Sequence, residues 1–329
     1  MYFSIIIPTY NPAQRIKKLL DSIVRNDCID QIEVIISDDC SDESIEDILL
    51  EYKNINYIFI TNDHHTGFPR TGRQNGLNKA KGSWICFADQ DDYFVDNAFD
   101  KIKKIIEDNK IHNYLPGNFL QYDEESGNYI MYDGTKSWTH GKFYEKSFID
   151  KYQIAYDDVR YCEDVNFSTH VGCVLVENNI GIQMYNDPVY VWCRHQDSLC
   201  GGDYFSKSVK DYIHSTFGII EQYIAKTKND PQKQDQFTNK FVQTLYHLYF
   251  YLQSDQLFLD KECLLTSMLT LLPIYKDFKK DANIESSQLI QITHTNLQKM
   301  FAETRNDDFV QVPFVEKMSF KDWVFYYLE

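Results

Sequence analysis

Short β-branched runs alternate with amphipathic stretches along the first part of the chain, and this rhythm limits the fold more than any other feature. The runs are Tyr2–Pro8, Ile32–Ser37, Ile55–Ile60 and Trp84–Ala88; between and after them come Pro12–Arg25, Glu43–Tyr52, Arg70–Lys81 and Asn97–Glu107. Continuously apolar strands need cover on both faces, and crossover helices between parallel strands supply it. The pattern predicts an α/β domain with a mostly parallel central sheet and flanking helices. In such a sheet ligands collect beyond the carboxyl ends of the strands. Those ends carry Thr9-Tyr10-Asn11, Asp38-Asp39, the polar stretch from Asn62 to Gly72, and Asp89-Gln90-Asp91-Asp92, so four strand ends offer polar or acidic groups to one crevice.

Between Leu115 and Ser198 the pattern is mixed, with short strands, loops rich in Gly, Asp and Tyr, and one helix-like stretch over Glu163–Glu177. Of thirteen glycines all but Gly218 occur at or before Gly202. The remainder of the chain reads as helices, with Val209, Tyr212, Ile213, Thr216, Ile220, Tyr223 and Ile224 forming one apolar stripe. The expected division is an α/β domain over 1–203, with parts 1–110 and 111–203, and a smaller all-helical domain over 204–329. Phe241, Leu245, Tyr246, Tyr249 and Phe250 read as core of the helical part, the alternatives being an acceptor platform or a homodimer contact.

Forty-nine acidic residues against thirty-three basic ones give a formal net charge of −16 with no basic stripe, which argues against nucleic acid as a partner. Met1–Pro8 is too short and too poor in flanking Lys or Arg for a signal peptide, and no stretch reaches membrane-spanning length. The expectation is a cytoplasmic protein without a transmembrane segment, free or peripheral at the inner face of the membrane. Eight cysteines without a C-x-x-C pair suggest neither a zinc site nor a disulfide framework.

The strongest chemical signal is Trp84-Ile-Cys-Phe-Ala88 running directly into Asp89-Gln90-Asp91-Asp92. Carboxylates gathered at a strand end can hold a hard divalent cation, although Asp-X-Asp alone also fits a solvated turn capping the next helix.

Five segments in order decide between those readings: Ser4-Ile-Ile-Ile-Pro-Thr-Tyr-Asn11, Ile35-Ile-Ser-Asp-Asp-Cys-Ser-Asp42, Gly72-Arg-Gln-Asn-Gly-Leu77, Gly82-Ser-Trp-Ile-Cys-Phe-Ala-Asp-Gln-Asp-Asp92 and Tyr161-Cys-Glu-Asp-Val165. In these the chain resembles a family 2 glycosyltransferase with the GT-A fold. The resemblance implies an inverting transferase that uses a nucleoside-diphosphate sugar and Mn²⁺ or Mg²⁺. Asp38 and Asp39 would hold the base, and a carboxylate facing a base-edge N–H favours a UDP-sugar. Thr9 and Tyr10 would pack the base and ribose, and Arg73 would reach the base or diphosphate, with Gln74 departing from the family's Asn. Asp91, then Asp89, would hold the metal, Asp89 also touching ribose or sugar, while Asp92 would support or cap. Asp164 would be the general base, with Glu163 orienting it.

Trp192-Cys-Arg-His-Gln-Asp-Ser-Leu-Cys-Gly201 resembles a segment near the diphosphate in relatives, which makes His195 a candidate metal ligand and Arg194, beside an unexpected Cys193, a candidate phosphate partner. Gly141–Ile149 falls on the acceptor side. From the residues alone, Tyr10 also fits core packing, Asp39 an Asx-turn before Ser41, Arg73 an exposed helix start, Asp164 a first-turn acid and His195 a structural histidine. The acceptor implied is a glycan, glycoconjugate or glycoprotein. Pro8-Thr-Tyr-Asn-Pro12 supplies no Gly-rich phosphate loop, which argues against a nucleotidyltransferase and a P-loop kinase. The alternative reading is a catalytically inactive relative that binds nucleotide-sugars or glycans.

Overall fold

The computed structural model describes residues 1–195, except positions 13, 44, 136–137, 158 and 160–161, together with residues 204–253. The expected alternation is present: β1 (Phe3–Thr9), α1 (Arg15–Val24), β2 (Ile32–Asp38), α2 (Glu46–Leu49), β3 (Asn56–Thr61), α3 (Pro69–Lys79) and β4 (Trp84–Phe87). After it come β5 (Tyr93–Phe94), α4 (Ala98–Asn109), β6 (Tyr114–Pro116), β7 (Phe119–Asp123), β8 (Tyr129–Tyr132), β9 (Lys142–Glu145), α5 (Lys146–Tyr152), α6 (Glu163–Glu177) and β10 (Tyr190–Arg194).

A six-stranded sheet has the order β3-β2-β1-β4-β9-β6. Its β3-β2-β1-β4 part is parallel, whereas β9 runs antiparallel to both β4 and β6. Every residue of β1 and β2 is buried, which suits central strands covered on both faces, while β3 at the edge is partly exposed. Ile16, Leu19, Leu20 and Ile23 of α1 bury one apolar stripe in the core that Phe3, Ile5 and Ile7 of β1 share. A second sheet, β5-β10-β7-β8, continues from the end of β4 and brings the end of β10 beside the first sheet's acidic loop.

The stretch expected as a helix over Glu43–Tyr52 is one short turn, Glu46–Leu49. Its apolar anchors are Ile45 and Leu49, and the Tyr52 hydroxyl bonds Asp21 at 2.8 Å, so tertiary contacts hold a segment too polar to carry a longer buried helix.

By internal contacts the chain divides into one compact unit of Met1–Val171 with Ile180–Ser198 and a second that includes Gly172–Asn179 and the helices α7 (Tyr204–Lys226) and α8 (Pro231–Gln253). The expected boundary near Asp203 lies outside the described residues. Within the second unit α7 and α8 pack as an antiparallel pair, with ring contacts Phe217–Phe241 at 4.7 Å and Tyr223–Phe237 at 5.4 Å. Ile213, Thr216, Ile220, Tyr223 and Ile224 of the expected stripe are buried, as are Phe241 and Leu245; Val209, Tyr212, Tyr246, Tyr249 and Phe250 have side chains outside the described set. No helix among the described residues is long and apolar enough to cross a membrane.

Helix α3 runs close along β1 because two of its residues lack side chains. A Cβ at Gly72 would sit 2.9 Å from Pro8 Cβ, and one at Gly76 would overlap the side chain of Ile6. Gly76→Ala is expected to lower stability by roughly 1–3 kcal/mol through this overpacking, read as a lower urea midpoint with an unchanged slope.

Candidate active site

The site forms where β1, β2 and β4 end, closed by α3, by the first turn of α6 and by the end of β10. On the β2 side Asp38 turns inward: Thr9 Oγ1 donates to it at 3.0 Å, Ser41 Oγ at 2.5 Å and the Ser41 N–H at 2.8 Å. Asp39 accepts from Asn62 Nδ2 at 2.7 Å, from the Thr66 N–H and hydroxyl at 2.9 and 2.8 Å, and from the Gly67 N–H at 2.7 Å. Burial alone would raise this carboxyl, but those donors hold it below the ordinary carboxylate range. Both acids therefore fix loops, and the Ser41 N–H goes to Asp38, three residues back, and not to an Asx-turn at Asp39. Tyr10 remains 41% exposed, and its ring lies 4.3 Å from that of His65. A flat aromatic face is thus open at the end of β1. Gln90 ties this end to the acidic loop by accepting from the Tyr10 N–H at 2.8 Å and donating to its carbonyl at 3.0 Å.

The centre of the site is charged and buried. Arg73 of α3 donates NH2 to Asp89 Oδ1 at 2.5 Å and NH1 to Glu163 at the start of α6. Burial opposes the guanidinium charge, but Asp89 and Glu163 hold it well above its usual range. Burial likewise works against the Asp89 charge, yet Arg73 and His140 hold that carboxyl below its usual range. Glu163 is pushed up to about 7 by burial, with Arg73 opposing and Asp164 adding to the rise. Asp164, less buried than Glu163, accepts from the Val165 N–H at 2.8 Å in the first helical turn, where the helix dipole favours an acid.

Asp92 is fully buried and accepts from the Tyr190 hydroxyl and from the Cys193 N–H at 2.8 Å, while Tyr190 in turn accepts from the Asp89 N–H at 3.0 Å. It anchors β10 to the acidic loop, a supporting position. Asp91 meets His195 at 2.6 Å, and Arg15 of α1 lies 3.1 Å from the same ring. Arg194 points elsewhere, half-exposed and 3.9 Å from Asp123.

His140 belongs to no sequence motif. Its Nε2 is 3.5 Å from Asp89, its ring stacks on Tyr190 and Trp192, and its Nδ1 is buried without a hydrogen-bond partner among the described residues. Among those residues Asp89, Asp92 and His140 bring their ligand atoms within 4.8 Å of one another. Of the three, Asp92 is already tied to Tyr190 and Cys193. Asp89 with His140 and Asp91 with His195 make two separate carboxylate–imidazole pairs, and the expected trio of Asp89, Asp91 and His195 does not come together within that span; carboxylate oxygens of this kind suit a hard cation such as Mn²⁺ or Mg²⁺. No local spacing could reveal His140, Arg15 or Tyr190, because each reaches the site from another element.

Lys142, at the start of β9, is buried, and its ammonium donates to the Trp138 carbonyl. Burial brings it down to about 8, although Asp164 and Asp133 work to keep it charged. An unfolded lysine keeps its proton to about 10.4, so between those values the unfolded chain binds more protons and stability rises with pH. The wild type is expected to gain on the order of 2–3 kcal/mol between about pH 8 and 10.4 relative to Lys142→Met, measured by denaturant unfolding across that window.

Known proteins resemble this chain in sequence over its first part and in fold. The family model described as Glycosyl transferase family 2 matches residues 4–162. The chain is 35% identical over 129 residues to the uncharacterized glycosyltransferase MG025 of Mycoplasma genitalium, a match covering 38% of this chain and 41% of that protein. It is 36% identical over 95 residues to the poly(ribitol-phosphate) beta-N-acetylglucosaminyltransferase TarS of Staphylococcus aureus, covering 28% of this chain and 17% of TarS. The matches thus span less than half the length of these relatives. The crystal structure of S. aureus TarS 1-349 superposes with a TM-score of 0.65 at 17% identity, over 90% of this chain and 87% of that one, and its complex with UDP-GlcNAc with 0.66 over 90% and 88%. These superpositions show the GT-A fold, whose central sheet is the parallel-rich one described above. Over residues 4–162, just under half of the chain, the sequence is thus similar to glycosyl transferase family 2.

Proposed function

We propose that this protein transfers a hexose or N-acetylhexosamine from a UDP-sugar to a hydroxyl of a glycan, glycoconjugate or glycoprotein, with inversion at the anomeric carbon. The observation that carries the reading is the meeting of two acidic groups, Asp89-Asp91 at a strand end and Glu163-Asp164 at a helix start, joined through Arg73 inside the family domain. The S. aureus relative with this fold binds UDP-GlcNAc, and the relative matched in sequence is a beta-N-acetylglucosaminyltransferase, which supports a UDP-sugar donor and a cell-surface polymer among the acceptors.

In this proposal Tyr10 covers the base with its exposed ring face, and Thr9 and Asp38 shape the floor beneath it. For Asp39 to accept the uracil imide N–H, one of the four groups from the 62–67 loop must release its oxygen. Asp91, Asp89 and His195 would hold the cation, with His140 beside Asp89. A divalent cation bound there supplies positive charge at the departing diphosphate. Asp164 takes the proton of the acceptor hydroxyl as that oxygen attacks C1 on the face opposite the diphosphate; one carboxylate suffices for a single displacement with inversion. Glu163, held by Arg73, fixes the helix start that carries Asp164, and Arg194 lies outside this set in its pairing with Asp123.

The test is release of UDP from a panel of UDP-sugars with Mn²⁺, with and without oligosaccharide acceptors. Asp164→Asn is expected to lose roughly 10²–10⁴-fold of acceptor-dependent turnover, the usual contribution of a general base, while still binding UDP. Asp91→Ala is expected to abolish the metal-dependent release of UDP. Turnover by Asp164→Asn equal to that of the wild type would remove Asp164 from the role of base.

A further inference from the structure

Arg73 is the point at which the two halves of the site are tied together. Its side chain is 6% exposed, with one terminal nitrogen on Asp89 at 2.5 Å, the other on Glu163, and Nε buried without a hydrogen-bond partner among the described residues. Two of the five guanidinium N–H donors are taken by carboxylates, one on each terminal nitrogen, and the near-complete burial of the side chain leaves the other three little access to a diphosphate or a base. The next residue repeats the connection. Gln74 Oε1 accepts from the Tyr156 N–H at 2.9 Å, so consecutive positions of α3 grip the acceptor side at Tyr156 and at Glu163. The Tyr156 ring stacks on Phe167 of α6 at 4.5 Å, which joins that grip to the helix bearing Asp164. The glycines that let α3 lie against β1 set the depth at which this fork sits.

We propose that Arg73 is a positioning residue that clamps Asp89 of the donor motif to Glu163 of the acceptor helix, and so aims Asp164, without binding the donor itself. This rests on the transferase reading above. It differs from the role that the family resemblance implies, in which this arginine reaches the base or diphosphate. A lysine is a point charge and cannot span two carboxylates with fixed geometry, so Arg73→Lys should fail as Arg73→Gln does.

The experiment uses the full chain with Mn²⁺, UDP as the binding probe in calorimetry, and the UDP-sugar the wild type turns over fastest. The variants are Arg73→Gln, Arg73→Lys, Glu163→Gln and the double variant Arg73→Gln with Glu163→Gln. The clamp predicts a UDP Kd and a donor KM within about threefold of wild type, with kcat down by roughly 100-fold in both arginine variants, the signature of an interaction that matters to the reacting geometry and not to donor binding. It also predicts that the double variant is no worse than the worse single variant, since both remove one interaction. A UDP Kd weakened by about tenfold or more in Arg73→Lys or Arg73→Gln, or losses that multiply in the double variant, would overturn it. Should Arg73→Gln not fold, Arg73→Lys and Glu163→Gln decide the matter by the same kcat-against-KM split. A wild type that turns over no donor would sink the transferase reading by itself; the clamp would then be judged by whether the melting-temperature losses of the single variants fail to add in the double.

Discussion

The arrangement depends on one buried cation. Arg73 lies buried between Asp89, whose side chain is 32% exposed, and the buried Glu163, and neither Arg73 nor Glu163 could remain charged there alone without a large desolvation cost. Breaking such a pair is costly because the abandoned charge stays buried, so the fork constrains everything attached to it. Attached are the end of β4 through Asp89, the start of α6 through Glu163, and α3, whose close seat on β1 needs the glycines at 72 and 76. The groups proposed to act in catalysis thus sit just beyond a strand end and in the first turn of a helix, close to regular elements. Asp39 and Asp92 do the same work locally, each using its carboxylate to hold a neighbouring segment.

Much of this was legible in the sequence because it is encoded locally. Continuous burial of Phe3–Thr9 and Ile32–Asp38 follows from their β-branched content, and the strand-end rule placed Tyr10, Asp39 and Asp89 in one crevice. The helix expected over Glu163–Glu177 has those bounds in the structure. The Asp91–His195 contact, across more than a hundred residues, was reached through family resemblance alone.

What stayed hidden is what depends on a partner far away in the chain. Arg73 reads as a partner of the base or diphosphate, or as an exposed helix-start arginine, until Glu163 is seen beside it. The place of His140 comes from a ring stack with Tyr190 and Trp192, which no local pattern announces. Gln74, a departure from the family's Asn, finds its use in holding the Tyr156 backbone. Arg194 stands next to His195 in sequence, yet strand alternation sends its side chain to Asp123. Even the short turn at Glu46–Leu49 reflects tertiary contacts overruling a longer apparent helix.

The site's layout, with its single candidate base on the acceptor helix and the acidic loop on the donor side, makes a geometric claim about the reaction: one displacement at C1, with attack opposite the diphosphate. The most direct measurement is the proton NMR spectrum of the initial product formed from an α-linked UDP-sugar, read at the new anomeric centre before any equilibration. A single displacement with inversion gives a β-linked product. An α-linked product would mean retention and contradict it.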